Sequence, residues 1–185
     1  MKTGFAQPGP GNTEQALLVM LEGLNQYQVG QVVVASTFGN TGLAAARLLA
    51  DKEISLVVVT HNVGFKEPGC LEMTAETREE LVAMGARVHT GVMPFRNIGT
   101  SIRERQGYSQ QDLIANTLRL FGQGIKVCVE IVLMAADSGL ISPAPVLAVA
   151  GTARGADTVA LIMPQSSNRF FDLKVLDILV KPVNW

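Results

Sequence analysis

Directly after the apolar run Val32-Val33-Val34 stands a group of residues with the composition of an anion cradle. Ser36, Thr37 and Thr41 bring hydroxyls, Asn40 brings an amide, and Gly39 and Gly42 let the backbone turn tightly and approach a ligand. An alanine-rich helical pattern begins at once, so the turn also offers free N–H groups and the positive end of a helix dipole. Such a turn holds phosphate or carboxylate. The plain alternative is an ordinary strand-to-helix turn in which Thr37, Asn40 or Thr41 only caps the helix. The named nucleotide motifs do not fit. There is no GxGxxG, the next apolar run ends in Thr60-His61 instead of an acidic ribose partner, and no Gly-Lys-Ser/Thr follows.

Two further stretches carry related chemistry. "THNVGF" sets His61, Asn62, Gly64 and Phe65 after an apolar run, and "GTARGADT" repeats the Gly/Thr theme with Gly151, Thr152, Arg154, Gly155, Asp157 and Thr158. Gly151 and Gly155 permit close backbone approach, Thr152 and Thr158 can donate hydroxyls, and Asp157 can orient its loop or meet a ribityl or ribose hydroxyl. Phe38 and Phe65 either border a flat ring or pack as plain apolar side chains. His61 is a formal general-base candidate, yet the sequence shows no partner that would activate it, and a structural histidine is the default. Lys126 and Glu130 stand four apart and read as a structural ion pair; Asp137, close to a helix C-terminus, calls for a specific partner. Cys70 and Cys128 lie outside any CxxC or His/Cys cluster, so no metal site and no disulfide framework is expected. Cys128, between two valines, reads as a small buried hydrophobe.

These stretches need elements that bring them to one place. Asn12 or Thr13 can cap a helix carrying Ala16, Leu17, Met20, Leu21 and Leu24 at helical spacing, fading by Gly30. A strand over 31–35, a helix over 41–50 and a strand over 55–59 follow. A helix from 74 with Glu76, Glu79 and Glu80 early and Gly85 as its stop leads to a short strand over 86–90. The segment "TGVMPFRNIGTSIRERQGYS" mixes Gly, Pro and charge and predicts a long, partly helical excursion of the kind that serves sites. Ser109 and Asp112 approximate a capping box ahead of "LIANTLRLFG". The β-branched segment 126–138 is read as a helix on its length and on the alignment of Lys126, Glu130, Met134 and Asp137. Strands over 145–150 and 158–163 flank "GTARGAD", and the tail "FDLKVLDILVKP" supplies an edge strand or a docked helix. Continuous apolar strands alternating with helices predict an α/β class with a sheet covered on both faces, its carboxyl edge gathering the three chemical turns.

Length and composition bound the rest. A chain of 185 residues favours one well-buried domain over two, so 1–185 is treated as a single unit. With 48% hydrophobic and 17% charged residues and a net charge of -1, nothing in the global electrostatics calls for nucleic acid or an anionic membrane. The low charge and the abundance of Gly and Ala favour a homo-oligomer. The opening "MKTGFAQPGPGN" has no apolar leader, and "VCVEIVLMAADSG" is too short and too interrupted to span a bilayer. A cytoplasmic protein is expected.

The phrases "QPGPGNTE", "VVVAST" with "GNT", "VTHNVGFKEPG", "TLRLFGQGIKVCVEI", "LMAADSG", "AGTARGADTV" and "FFDL" resemble, in the same order, the small stand-alone proteins similar to the C-terminal domain of pyruvate kinase. The resemblance covers nearly the whole chain. It implies a three-layer α/β/α domain with a mostly parallel five-stranded sheet. It implies no pyruvate kinase activity, because the barrel that carries phosphotransfer in that enzyme is lacking. In pyruvate kinase the comparable domain binds a phosphorylated sugar effector between a Ser/Thr-rich loop and a late Gly-rich loop, here 36–41 and 151–158. The stand-alone family looks like flavin mononucleotide (FMN) binders. By carry-over the pocket candidates are Ser36, Thr37, Gly39, Asn40, Thr41, His61, Gly64, Phe65, Gly151, Thr152, Gly155, Asp157 and Thr158. One segment departs from the family's usual Ser/Thr-His-x-Leu-Ser-Gly-x-x-Arg: this chain has "GVMPFRNIGTSI", where Arg96 substitutes from a different position.

Three functional expectations follow. The first is a binding protein for a phosphorylated small molecule, with FMN as the cofactor. The second is a flavin-dependent or acid/base enzyme resting on His61 and Glu130, and the third is a regulatory or scaffold domain with an empty pocket.

Overall fold

The structure, a computed structural model, describes residues 4–184. Met1, Lys2 and Thr3, part of the opening expected to carry no leader, lie outside them, as does Trp185. A single six-stranded sheet organises the chain, in the order β3-β2-β1-β4-β5-β6. Its strands are β1 (Gln31–Ala35), β2 (Ser55–Val59), β3 (Arg87–His89), β4 (Val146–Ala150), β5 (Thr158–Met163) and β6 (Lys174–Val180). The helices are α1 (Thr13–Tyr27), α2 (Asn40–Leu49), α3 (Ala75–Ala83), α4 (Asn97–Gln106), α5 (Gln110–Arg119) and α6 (Gln123–Asp137), with short 3₁₀ turns at Pro10–Asn12 and Ser167–Asp172.

Both faces of the sheet are covered, and the apolar runs show it by alternation. Val32, Val34, Leu56, Val58, Leu147 and Val149 join the core shared with α1 and α2, while Val33, Val57, Val59, Val146, Ala148 and Ala150 join the core under α6. Each fully buried valine or leucine contributes roughly 1.5–3 kcal/mol of transfer free energy, so the sheet's centre is where the fold is won. β1 pairs in parallel with β2 and β4, and β2 with β3. β4–β5 and β5–β6 are antiparallel. The sheet therefore has six strands where five were expected, because the tail 174–180 takes the edge-strand option and closes the β5 side. The α/β class stands.

Local chemistry explains the helix ends. Thr74 caps α3 by accepting the Thr77 N–H at 3.2 Å, and Gly85, at φ +84°, lets the chain leave the helix in the left-handed region. Ser109 accepts the Asp112 N–H at 3.1 Å and so opens α5. α6 is buried around most of its circumference, which is why its sequence lacks the usual polar stripe and could be mistaken for a strand. Asp137, at its last turn, accepts the Ser167 N–H at 2.7 Å, the specific partner its position demanded. Among the described residues no helix is long and apolar enough to cross a membrane.

Candidate functional site

β1 runs on to β2 and β3 on one side, whereas β4 lies on its other side and arrives from α6. The chain therefore diverges at the carboxyl ends of β1 and β4, the switch point at which open α/β sheets form crevices. A cavity of about 310 Å³ opens there. One wall is the turn after β1, from Ala35 through Ser36, Thr37 and Phe38 to Asn40 and Thr41. The facing wall is the loop after β4, with Gly151, Ala153, Arg154 and Gly155. His61 and Phe65, beyond β2, close a third side; Arg96, Gln123 and Val127 complete the lining.

The first wall is built from its own hydroxyls. Ser36 is buried, and its Oγ accepts the Gly42 N–H at 3.1 Å, so Ser36 anchors the first turn of α2 from inside. Gly39 precedes the helix at φ +98°, and a Cβ there would lie 2.1 Å from the Thr77 methyl. Only glycine fits between α2 and α3 at that point. Asn40 and Thr41, the first residues of α2, line the cavity, and helix geometry leaves their N–H groups without an intrahelical carbonyl.

The second wall is held by Asp157. Its carboxylate is fully buried and accepts three donors: the Gly9 N–H at 3.0 Å, the Thr152 N–H at 3.1 Å and the Thr158 hydroxyl at 2.8 Å. The Ala156 N–H reaches the Thr13 hydroxyl at 3.0 Å, which ties the loop to the start of α1. Gly155 sits at φ +68°, where a Cβ would lie 2.5 Å from Thr13 Oγ1 and 2.6 Å from Pro10 Cα. Of the residues singled out in the sequence, Ser36, Thr37, Asn40, Thr41, His61, Phe65, Gly151 and Gly155 thus meet at the cavity. Gly39, Gly64, Thr152, Asp157 and Thr158 stand behind its walls. Gly64 serves the turn that carries Phe65, donating its N–H to the Cys70 carbonyl at 2.8 Å. Thr152 keeps its Oγ1 buried with no hydrogen-bond partner among the described residues.

Two arginines dominate the electrostatics. Neither Arg96 nor Arg154 has a carboxylate partner among the described residues. Each rests over an aromatic ring instead: Arg96 lies 4.5 Å from the Phe65 centroid, and Arg154 4.9 Å from that of Phe38. Lys66 lies 5.5 Å from the Phe38 ring on the same side of the molecule. Arg96 is positioned from below. The backbone N–H of Phe95 donates to Glu130 Oε1 at 2.9 Å, and Glu130 pairs with Lys126 inside α6, as their spacing suggested. Burial pushes Lys126 below the ordinary lysine value, the positive charges of Arg119 and Arg96 push the same way, and Glu130 opposes them.

His61 has the partner that the sequence did not reveal. Its Nδ1 lies 2.7 Å from Glu72 Oε2, its Nε2 lies 3.3 Å from Thr37 Oγ1, and its ring stacks on Phe65 at 3.8 Å. Glu72 also meets Lys66 Nζ at 3.2 Å. Burial pushes the Glu72 carboxyl upward, but the hydrogen bonds and charges of His61 and Lys66 outweigh it and hold the group below the ordinary glutamate value. Sequence reasoning missed Glu72, Gln123 and Val127. Nothing in "KEPGCLEM" marks Glu72, since its role arises only when the loop closes on itself through the Cys70 N–H to Glu67 carbonyl bond at 3.0 Å. Among the described residues no group of three or more His, Cys, Asp and Glu is placed to hold a metal ion.

No protein-family model matches the chain. Among solved structures, the chain is similar to a pyruvate kinase from Cryptosporidium parvum, at 15% identity and a TM-score of 0.44 over 83% of this chain and 23% of that one. It is also similar to an O-ureido-L-serine synthase, at 21% identity and a TM-score of 0.34 over 56% of this chain and 32% of that one. The chain therefore spans about a quarter and about a third of the lengths of those two proteins.

Proposed function

We propose that the protein binds a small molecule by its phosphate group in the cavity between the β1 and β4 loops. The observation that carries this reading is the convergence of Arg96 and Arg154, both without carboxylate partners among the described residues, on a cavity that also takes the first turn of α2. A guanidinium over an exposed ring is stabilised by only about 0.5–1 kcal/mol. A bidentate phosphate offers each arginine more than that, and the helix N-terminus adds donors and a favourable dipole. The ring contacts thus hold the cations in place without satisfying them.

FMN, the ligand that the family resemblance implies, is the first compound to test. Its phosphate fits Arg96, Arg154, the Thr37 hydroxyl and the N–H groups of Asn40 and Thr41. A cavity of about 310 Å³ lies at the lower end of the range for small-molecule sites, and Phe38 and Phe65 stand where a planar ring would enter. When bound, a flavin would supply redox chemistry; the residues named here bind and orient it.

The test combines mass spectrometry of compounds released on denaturing the purified protein with thermal shift in FMN and sugar phosphates. Ligand at one hundred times its Kd is expected to stabilise the fold by about 2.7 kcal/mol, and the double variant Arg96→Ala/Arg154→Ala loses that gain. A colourless protein that releases no phosphorylated compound and shows no shift with any of them refutes the reading. That result would favour a regulatory module with an empty pocket.

A further inference from the structure

We propose that Thr37, His61 and Glu72 form a nucleophile, base and carboxylate relay, and that the cavity hydrolyses the phosphate monoester it binds by way of a phosphoryl group on Thr37. This rests on the phosphate-binding reading above and adds a reaction to it.

The relay is built in order. Thr37 Oγ1 lies 3.3 Å from His61 Nε2, and His61 Nδ1 lies 2.7 Å from Glu72 Oε2. An ionised carboxylate can only accept, so the proton of this bond sits on Nδ1. Nε2 then presents its lone pair to the Thr37 hydroxyl, the tautomer that general-base catalysis requires. Glu72 is kept ionised by the hydrogen bonds it accepts from His61 and the Lys66 ammonium, and its side chain is only 10% exposed. Stacking on Phe65 fixes the imidazole plane. A histidine with a purely structural task needs no hydroxyl of a cavity wall at its second nitrogen. Here Thr37 lines the same cavity as Arg96, Arg154 and the start of α2, the groups that would face the equatorial oxygens of a transferring phosphoryl. The separation of 3.3 Å is long for the bond and is of the kind that tightens when substrate is bound.

The chemistry balances with water as its only co-reactant. Thr37 Oγ1 attacks phosphorus, its proton passes to His61 Nε2, and the ester P–O bond breaks. The departing alkoxide, in line on the far side of phosphorus, takes a proton from water and leaves as an alcohol, while the imidazolium stays paired with Glu72. The hydroxide so formed attacks the phosphothreonine from that side. The P–Oγ1 bond breaks, Thr37 recovers the proton, and inorganic phosphate leaves.

The experiment uses the full chain with p-nitrophenyl phosphate and, separately, FMN, reading p-nitrophenolate and riboflavin. Acid-quenched samples are digested and the peptide carrying Thr37 is weighed. Release of product, with one phosphoryl group trapped on Thr37, is expected from the unaltered protein. Thr37→Val, nearly the same shape, abolishes both, while inorganic phosphate, still held by Arg96 and Arg154, raises its Tm by less than in the unaltered protein. His61→Gln slows turnover by about 10²–10⁴-fold. Glu72→Gln slows it as well and moves the acidic limb of the pH–rate profile, which a purely structural role would leave in place. No product above buffer from either ester between about pH 5 and pH 9, with inorganic phosphate still stabilising the fold, overturns the relay and leaves the binding reading standing. Turnover by Thr37→Val at the unaltered rate overturns it too. Failure of phosphate, FMN and sugar phosphates alike to stabilise the protein removes both readings.

Discussion

Asp157 gives the sharpest test of how the cavity is held. The carboxylate is fully buried and accepts two backbone N–H groups and one hydroxyl, from Gly9, Thr152 and Thr158. Asp157→Ala leaves all three donors without an acceptor. Hydrogen bonds to a charged group contribute about 1.5–3 kcal/mol each, which sums to roughly 4–9 kcal/mol. Two things pull the figure to the lower end. Removing the carboxylate also removes its desolvation penalty, and the Gly9 and Thr152 bonds are only part-buried, so water can reach their donors. A loss of about 4–5 kcal/mol is expected, against a typical total of about 5–15 kcal/mol for a domain. At about 2–4 °C per kcal/mol for a chain of this size, Tm falls by roughly 8–20 °C. Asp157→Asn behaves differently. Its amide oxygen can face the two backbone donors while its NH₂ donates to the Thr158 hydroxyl, so three bonds survive with less charge assistance, at a cost of about 1–2 kcal/mol. Urea denaturation with unchanged m-value reads both numbers. An alanine variant within about 1 kcal/mol of the unaltered protein, or an asparagine variant as unstable as alanine, refutes the account.

Three further outcomes follow from the same reasoning. Glu130→Ala strands the Lys126 ammonium in the interior and frees the Phe95 N–H, so a loss of about 3–5 kcal/mol is expected by urea denaturation; a change below about 1 kcal/mol counts against the pair. Exposed Cys70 reacts with a thiol-labelling reagent in the native state, whereas Cys128, whose thiol burial pushes well up, reacts only at the rate of unfolding; equal native rates contradict this. The lowered Glu72 carboxyl stabilises the fold above its ordinary value of 4.5, and that contribution is lost as pH falls through 4.5 toward the folded value. The Tm difference between the unaltered protein and Glu72→Gln therefore narrows on acidification, and a constant difference refutes the linkage.

Much of the sheet was legible because its central strands are buried on both faces and so leave unbroken apolar runs, as at 32–34, 56–59 and 146–150. The strand directions after β4 were legible in principle. The loop 151–157 carries no helix, and a parallel return needs a crossover of a dozen or more residues, so β5 had to run antiparallel. The site was legible only in part. The two Gly/Thr turns advertise themselves by composition, whereas Glu72 and Gln123 gain their meaning from the path of a loop and the azimuth of a helix. For Asp157 the residue type leaves two tasks open, orienting its loop or meeting a ligand hydroxyl, and three internal donors put it in the first. A carboxylate in a Gly-rich loop can serve as the loop's internal acceptor or as its recognition group, and burial with internal donors marks the former here.

The segment that departs from the resembling family is also tied to the core. Glu130, in the middle of α6, accepts the Phe95 N–H, and Asn97 Oδ1 accepts the Met93 N–H, so the chain before Arg96 is pinned at two points. Phe95 is itself buried, edge-on to Phe170 at 5.6 Å between ring centroids. Arg96 therefore leaves a fixed stem, and its guanidinium reaches the cavity over Phe65 with little backbone freedom left to lose on binding. α6 also supplies Gln123 and Val127 to the cavity lining. One helix thus completes the cavity lining and sets the origin of one of its two cations. The Lys126–Glu130 pair has a consequence beyond stability: loosening it moves the stem of Arg96, so under the phosphate-binding proposal the thermal shift with phosphate is expected to shrink in Glu130 variants even where the fold is intact.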